Sequence, residues 1–152
     1  MRFESSAFEH GGKIPSKYTC DGKNINPPFK IRDIPRGAKS LTLIMDDPDV
    51  PRHLKADGIW DHWVLFNMHC GLWEIREGEE PEGTQGLGTD YNLDYSGPCP
   101  PDTEHCYYFK LYALDTTLHL PVKSTKSQVE QAMEGHIMAQ TELMGRYERL
   151  KR

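Results

Sequence analysis

At 152 residues the chain is about the size of one ordinary domain, long enough to bury roughly two thirds of the surface its unfolded form exposes. Lys and Arg number 18 against 23 Asp and Glu, a net charge of -5, and no basic cluster forms the stripe that a nucleic-acid backbone would need. Met1 to Gly12 holds no apolar run of signal-peptide length, and nothing approaches the roughly 18 apolar residues of a membrane span. Nucleic-acid binding and integral membrane association are therefore not expected, and a cytoplasmic location is.

In chain order, Arg2 to Phe8 is a weak strand candidate, and so is Phe29 to Ile34, which Pro27, Pro28 and Pro35 confine to an edge or a short stretch. Three stronger strands follow: Ser40 to Met45 (SLTLIM), Ile59 to Met68 (IWDHWVLFNM) and Tyr107 to Leu114 (YYFKLYAL). Their β-branched, aromatic and large apolar residues predict central strands. Long connections between them hold most of the 13 Gly and 11 Pro, the longest being Gly78 to Pro101. From Glu77 through Phe109 there is no Lys or Arg, so this loop is either a solvated acidic face or a functional segment. After Pro121 the pattern turns helical: Thr125 and Gln128 form a candidate capping box, with Val129, Ala132, Met133, Ile137 and Met144 at near-helical spacing. Gly135 and Gly145 leave one long helix or two short ones, ending in the basic tail Arg146 to Arg152. The whole reads as a single mainly β domain, an antiparallel sandwich capped by a small C-terminal helical segment.

The four cysteines Cys20, Cys70, Cys99 and Cys106 are expected to be reduced structural thiols. One exception is open, because Cys20 and Cys99 both lie in Gly/Pro-rich loops that could meet. Catalytic signatures fail in turn. There is no Gly-x-Ser-x-Gly elbow and no P-loop, and Pro98-Cys99-Pro100 begins a zinc-deaminase pattern that Asp102 breaks where a thiolate should stand. No metal-ligand spacing and no cofactor fingerprint is present.

Three segments remain: Asp46 to Pro51 (DDPDVP), Trp60 to Trp63 (WDHW) and Ser96 to Tyr107 (SGPCPPDTEHCY). With Phe8 to Gly22, Asn26-Pro27-Pro28, LYALD ending at Asp115 and AMEGHI from Ala132 to Ile137, they resemble the phosphatidylethanolamine-binding protein family in its short bacterial and archaeal branch. The resemblance spans nearly the whole chain and implies a Greek-key β-sandwich. It also implies that Asp47, His62, Pro101, His105 and Tyr107 line a small cavity that accepts an anion or a phosphoryl headgroup. Imidazole and phenol donors suit an anion. Asp47 does not, and its expected work is to orient His62 or His105, or to receive an ammonium group. Asp21, Asp49, Trp60 and Asn67 match family positions and read as rim or scaffold, Asp49 as a turn-shaping Asx residue. Most relatives carry Arg where this chain has Cys106, so weak anion affinity is expected. As a strand neighbour of His105 and Tyr107, Cys106 should face the opposite side.

The family implies a ligand-gated module that modulates a protein partner, by kinase signalling or by serine protease inhibition. Two alternatives are a small hydrolase with a His/Asp dyad and a lipid carrier, the latter weakened by a pocket too small for acyl chains. Relatives of this branch are often dimers, and the apolar helical cap could supply a homodimer interface.

Overall fold

The computed structural model describes residues 1–149. Its strands are β1 (Arg2–Glu4), β2 (Phe29–Arg32), β3 (Ser40–Asp47), β4 (Trp60–Met68), β5 (Glu74–Ile75), β6 (Thr84–Gln85), β7 (His105–Leu114) and β8 (Ile137–Tyr147), with one helix, α1 (Lys126–Met133), before β8. A three-stranded sheet runs β1-β2-β5 and a five-stranded sheet runs β6-β4-β3-β7-β8, with antiparallel pairing throughout. The mainly β sandwich with one small helix is thus the architecture of the chain.

β3 is buried at every position because both of its faces are covered. Leu41, Leu43 and Met45 join Phe3, Phe29, Ile31 and Phe109 between the two sheets. Ile44 turns the other way, into a second cluster with Val64, Phe66, Val129 and Met133 under α1. Such two-sided burial explains why its sequence is an apolar run rather than an alternation. β7 alternates instead: His105, Tyr107, Phe109, Leu111 and Ala113 are buried while Cys106, Tyr108, Lys110 and Tyr112 are only partly covered. Asn67 sits at φ 54°, where the register between β3 and β4 slips, so Met68 takes the inward place. Its side chain is tied to Leu118 in both directions, Nδ2 donating to the carbonyl at 2.8 Å and Oδ1 accepting the amide at 2.7 Å.

The C-terminal third departs from the helical expectation. The capping box forms as read: Thr125 accepts from the Gln128 amide and the Gln128 side chain from the Thr125 amide. The helix ends at Met133, however, and Gly135 at φ +80° turns the chain into β8, which pairs with β7 from Leu114↔Ile137 to His105↔Tyr147. Ile137 and Met144, expected on a helical stripe, are strand residues. Leu143 and Tyr147 are buried at period two instead, a signal that matters only once β7 offers a pairing edge. Gly145 lies between them because a Cβ there would meet Ile14 at 2.5 Å and Phe8 at 2.8 Å. The first two strands are also shorter than read, β1 ending at Glu4 and β2 at Arg32. Arg146 and Tyr147 of the basic tail belong to β8, while residues 150–152 lie outside the described residues. Val129 and Met133 are buried in the chain's own second cluster, whereas Ile137 of the expected apolar stripe is exposed.

Cys20 and Cys99 form a disulfide across 79 residues of sequence, which corrects the expectation of four reduced thiols. Cys70 and Cys106 are free and partly exposed. No helix among the described residues is long and apolar enough to cross a membrane.

Candidate ligand site

At one end of the sandwich a cavity of about 250 Å³ opens, and Asp47, Trp60, His62, Pro101, His105 and Tyr107 are among its walls. Pairing positions them. β3 and β7 run in register through Met45↔Phe109 and Asp46↔Tyr108, so Asp47 at the end of β3 emerges beside Tyr107 on the inter-sheet face. His62 arrives by another device. Met45 pairs with Trp63 and Asp46 with Asp61, which makes His62 the extra residue of a β-bulge. A regular strand would send neighbouring side chains to opposite faces. The bulge lets His62 line the cavity while Trp63 enters the inter-sheet core.

The acidic loop is the remaining wall, packed rather than loosely solvated. Trp63 Nε1 donates to Glu80 at 2.8 Å, and the Tyr95 amide donates to the same carboxylate; burial raises the Glu80 pKa. Tyr95 packs edge-on against Trp63 and its hydroxyl donates to the Tyr18 carbonyl at 2.7 Å. Asn92 Nδ2 donates to the His62 carbonyl at 2.7 Å, and the Ser96 carbonyl accepts from His62 Nδ1 at 2.8 Å. At Gly97 a Cβ would come within 2.2 Å of the Tyr18 carbonyl oxygen. Only glycine lets this wall approach so closely.

The site's electrostatics centre on His105. Its Nδ1 donates to Asp47 Oδ2 at 2.6 Å and its Nε2 meets Asp102 Oδ1 at 2.6 Å. Burial disfavours the charged ring, yet the hydrogen bonds and attraction of the two carboxylates outweigh it, and the His105 pKa is raised. Asp102 is correspondingly lowered, by the Thr103 amide and by His105. His62 goes the other way: burial lowers its pKa, and the Ser96 carbonyl and nearby carboxylates offset this only in part. Because His62 Nδ1–H is committed to Ser96, the neutral ring leaves Nε2 as an acceptor. The buried Tyr107 hydroxyl makes no well-formed hydrogen bond among the described residues, although the Asp47 carboxylate and the Cys99 backbone lie close enough to act on it. Burial and the neighbouring Asp47 carboxylate push its pKa far up, so it stays a neutral O–H donor.

Among the described residues no Lys or Arg lines the cavity. Lys110 and Lys126 pair with Asp46 on the opposite face of β3, at 3.0 and 3.1 Å. Cys106 is turned away from the buried His105 and Tyr107, and its backbone amide donates to Asp49 Oδ2 at 2.7 Å. Asp49 is outside the cavity lining and its own amide donates to Asp47 Oδ1 at 2.8 Å, an Asx turn that braces Asp47. Asp21 lies apart from the cavity, accepting from Tyr147 and Arg149. Asn67 is likewise remote, bound to Leu118.

Sequence reasoning passed over Asp102 as a partner of His105, as well as Val50, Leu54 and Asp90 in the lining. Asp102 stands three residues before His105, a spacing that in a bend brings the two side chains together but carries no signal by itself. The others come from loops whose paths no periodicity describes.

Comparisons with known proteins agree with this architecture. The family model described as phosphatidylethanolamine-binding protein matches residues 4–148. The chain is 46% identical over 149 residues to a UPF0098 protein of Chlamydia pneumoniae, covering 98% of this chain and 99% of that one. With a UPF0098 protein of Methanothermobacter thermautotrophicus it shares 44% identity, covering 98% and 99%. Among solved structures, a phosphatidylethanolamine-binding protein homolog of Chlamydia trachomatis superposes with a TM-score of 0.94 at 47% identity, over 97% of this chain and 96% of that one. E. coli YbcL shares the fold, with a TM-score of 0.87 at 24% identity over 98% of each chain. These names point to binding proteins rather than to a defined enzyme. A family match over almost the full length, with relatives above two fifths identity, makes this chain a member of the phosphatidylethanolamine-binding protein family.

Proposed function

We propose that the chain is a non-enzymatic binding and regulatory protein whose cavity holds a small acid, an anion or a phosphoryl headgroup, and which modulates a protein partner. The observation that carries this reading is the Tyr107 hydroxyl, fully buried at the cavity and without a well-formed hydrogen bond among the described residues. A buried donor left unmade costs about 1–3 kcal/mol, and a ligand oxygen relieves that cost. His62 is the second donor, once Nε2 carries a proton.

Both ring nitrogens of His105 lie against carboxylates, so of the two candidate bases only His62, whose Nε2 is free, is left to the hydrolase alternative. Cys99, the thiol nearest the cavity, is in the disulfide. A lipid carrier is disfavoured by the cavity's size of about 250 Å³, too small for two acyl chains. The partner, through kinase modulation or serine protease inhibition, is placed by this reading at the cavity mouth. There Leu54 is exposed, and so is Tyr91, next to the lining residue Asp90. Cytoplasmic residence is kept in this reading, with the Cys20–Cys99 bridge as the feature that pulls toward an oxidising compartment.

Titration with phosphate and O-phosphorylethanolamine near pH 6, followed by NMR, tests the site. Shifts should gather on Asp47, His62, His105 and Tyr107. Tyr107→Phe should weaken binding about tenfold or more while changing stability by less than about 1 kcal/mol, because the hydroxyl it removes makes no well-formed hydrogen bond among the described residues. Shifts confined to other residues would refute the cavity as the site.

Proton uptake by His62 sets the pH dependence. Its folded pKa lies below the ordinary histidine value of 6.5, so a fixed-charge anion such as sulfate should bind more tightly as pH falls below about 6.5. A flat profile from about pH 8 to 5 would show that His62 is not the donor.

A further inference from the structure

The two carboxylates that hold His105 are not equivalent. Asp47 is anchored at the end of β3, braced by the Asp49 amide, with a side chain only 3% exposed. Asp102 lies in the bend after Pro101 with its side chain 44% exposed, held by the Thr103 amide and by His105. Its Oδ1 sits 2.6 Å from His105 Nε2, the one ring nitrogen that Asp47 does not occupy. An acid entering the cavity would seek that same N–H, at that same distance and with that same charge. The other groups beside the ring are Asp47 and Tyr107, whose ring lies 6.3 Å away, centroid to centroid.

We propose that Asp102 is an internal competitor for the ligand's seat: an acid gains the His105 N–H only by displacing the Asp102 carboxylate, so Asp102 sets the affinity and the selectivity of the cavity. The proposal rests on the reading of the cavity as an acid-binding site. Exchanging one carboxylate for another oxyanion at the same donor cancels most of the hydrogen-bond gain. A carboxylate tethered three residues away competes at an effective concentration of roughly millimolar or more. A bare inorganic anion therefore gains little in the wild-type protein. An organic acid whose body also packs on Val50, Leu54 and Trp60 has contacts that Asp102 does not supply.

Inorganic phosphate titrated near pH 6 into the wild type, Asp102→Ala, Asp102→Asn and Glu104→Gln tests this. Glu104 pairs with Arg146 at 2.9 Å, so its variant removes one charge from the same loop without touching His105. Both Asp102 variants should bind phosphate about tenfold tighter or more than the wild type, Glu104→Gln should stay within about twofold of it, and the His105 Nε2 resonance should move in the ligand-free Asp102 variants. Phosphate shifts on His62 and Tyr107 with the same affinity in Asp102→Ala as in the wild type would overturn the competitor role and leave the cavity reading standing. An absence of shifts on His62, His105 and Tyr107 in every protein would remove the cavity reading and this proposal with it.

Discussion

His105→Ala is expected to destabilise the protein by about 3–5 kcal/mol near pH 6, because it strands the buried Asp47 carboxylate without its cation. The reason is an imbalance of desolvation. Asp47 is 2% exposed; its charge is tolerated because His105 Nδ1 donates to one oxygen and the Asp49 amide to the other. Removing the imidazole leaves the desolvation cost and deletes its largest compensation.

The expected cost depends on pH in a definite direction. His105 has a folded pKa raised above its unfolded value near 6.5, so its contribution is fully present below about pH 6.5 and is lost as pH rises through the folded value. The gap between wild type and His105→Ala should therefore narrow on the alkaline side. Urea unfolding at about pH 6 and pH 9 measures this, with Asp47→Asn and the double variant completing a cycle. Asparagine keeps an oxygen for the Asp49 amide, so the double variant should lose less than the sum of the singles by about 1–3 kcal/mol. A loss under about 1 kcal/mol for His105→Ala near pH 6 would mean that the pair is not a buried charge pair.

Loss of the Cys20–Cys99 bridge should lower stability by about 2–4 kcal/mol, or about 5–15 °C in Tm for a domain of this size. The bond closes a loop of 79 residues, for which the chain-entropy account gives about 4–5 kcal/mol as an upper figure. The fold itself should survive. Three hydrogen bonds hold the same two segments together: the Cys20 amide to the Pro98 carbonyl at 3.1 Å, the Gly97 amide to Asn24 Oδ1 at 2.7 Å and the Tyr95 hydroxyl to the Tyr18 carbonyl at 2.7 Å. Thermal melts of the wild type and of Cys20→Ser/Cys99→Ser, each with and without reductant, separate the contributions. Reductant should lower the wild-type Tm and leave the variant unchanged. Unfolded protein should show two reactive thiols, from Cys70 and Cys106, before reduction and four after it. Four reactive thiols without reductant would mean that the bridge does not form in solution.

Where a residue's environment is made by its own neighbours, the sequence is a sufficient guide. SLTLIM and YYFKLYAL announce central strands because burial demands apolar side chains whatever the register. Thr125 and Gln128 announce a helix start because both halves of a capping box lie within four residues. The Asx turn of Asp47 and Asp49 is of the same kind, a contact between residues two apart. Cys106 faces away from His105 and Tyr107 because strand alternation needs no partner to decide it.

Other features have no local cause. Ile137–Tyr147 carries helical and strand periodicities together, and the exposed edge of β7 selects between them by pairing ten positions, a long-range gain that outweighs weak local propensity. The bulge that turns His62 into the cavity exists only in the register of β3 against β4. Sequence by itself determined the mainly β class, from residue types and their order, and carried the family resemblance that named Asp47, His62, His105 and Tyr107 while passing over Asp90. Tertiary structure alone decided that Cys20 meets Cys99, that Glu80 holds the long loop to Trp63, and that Asp102 closes on His105. Each of these joins segments whose approach depends on how loops cross the end of the sandwich, and loop paths are set by the packing beneath them rather than by any period in their own residues.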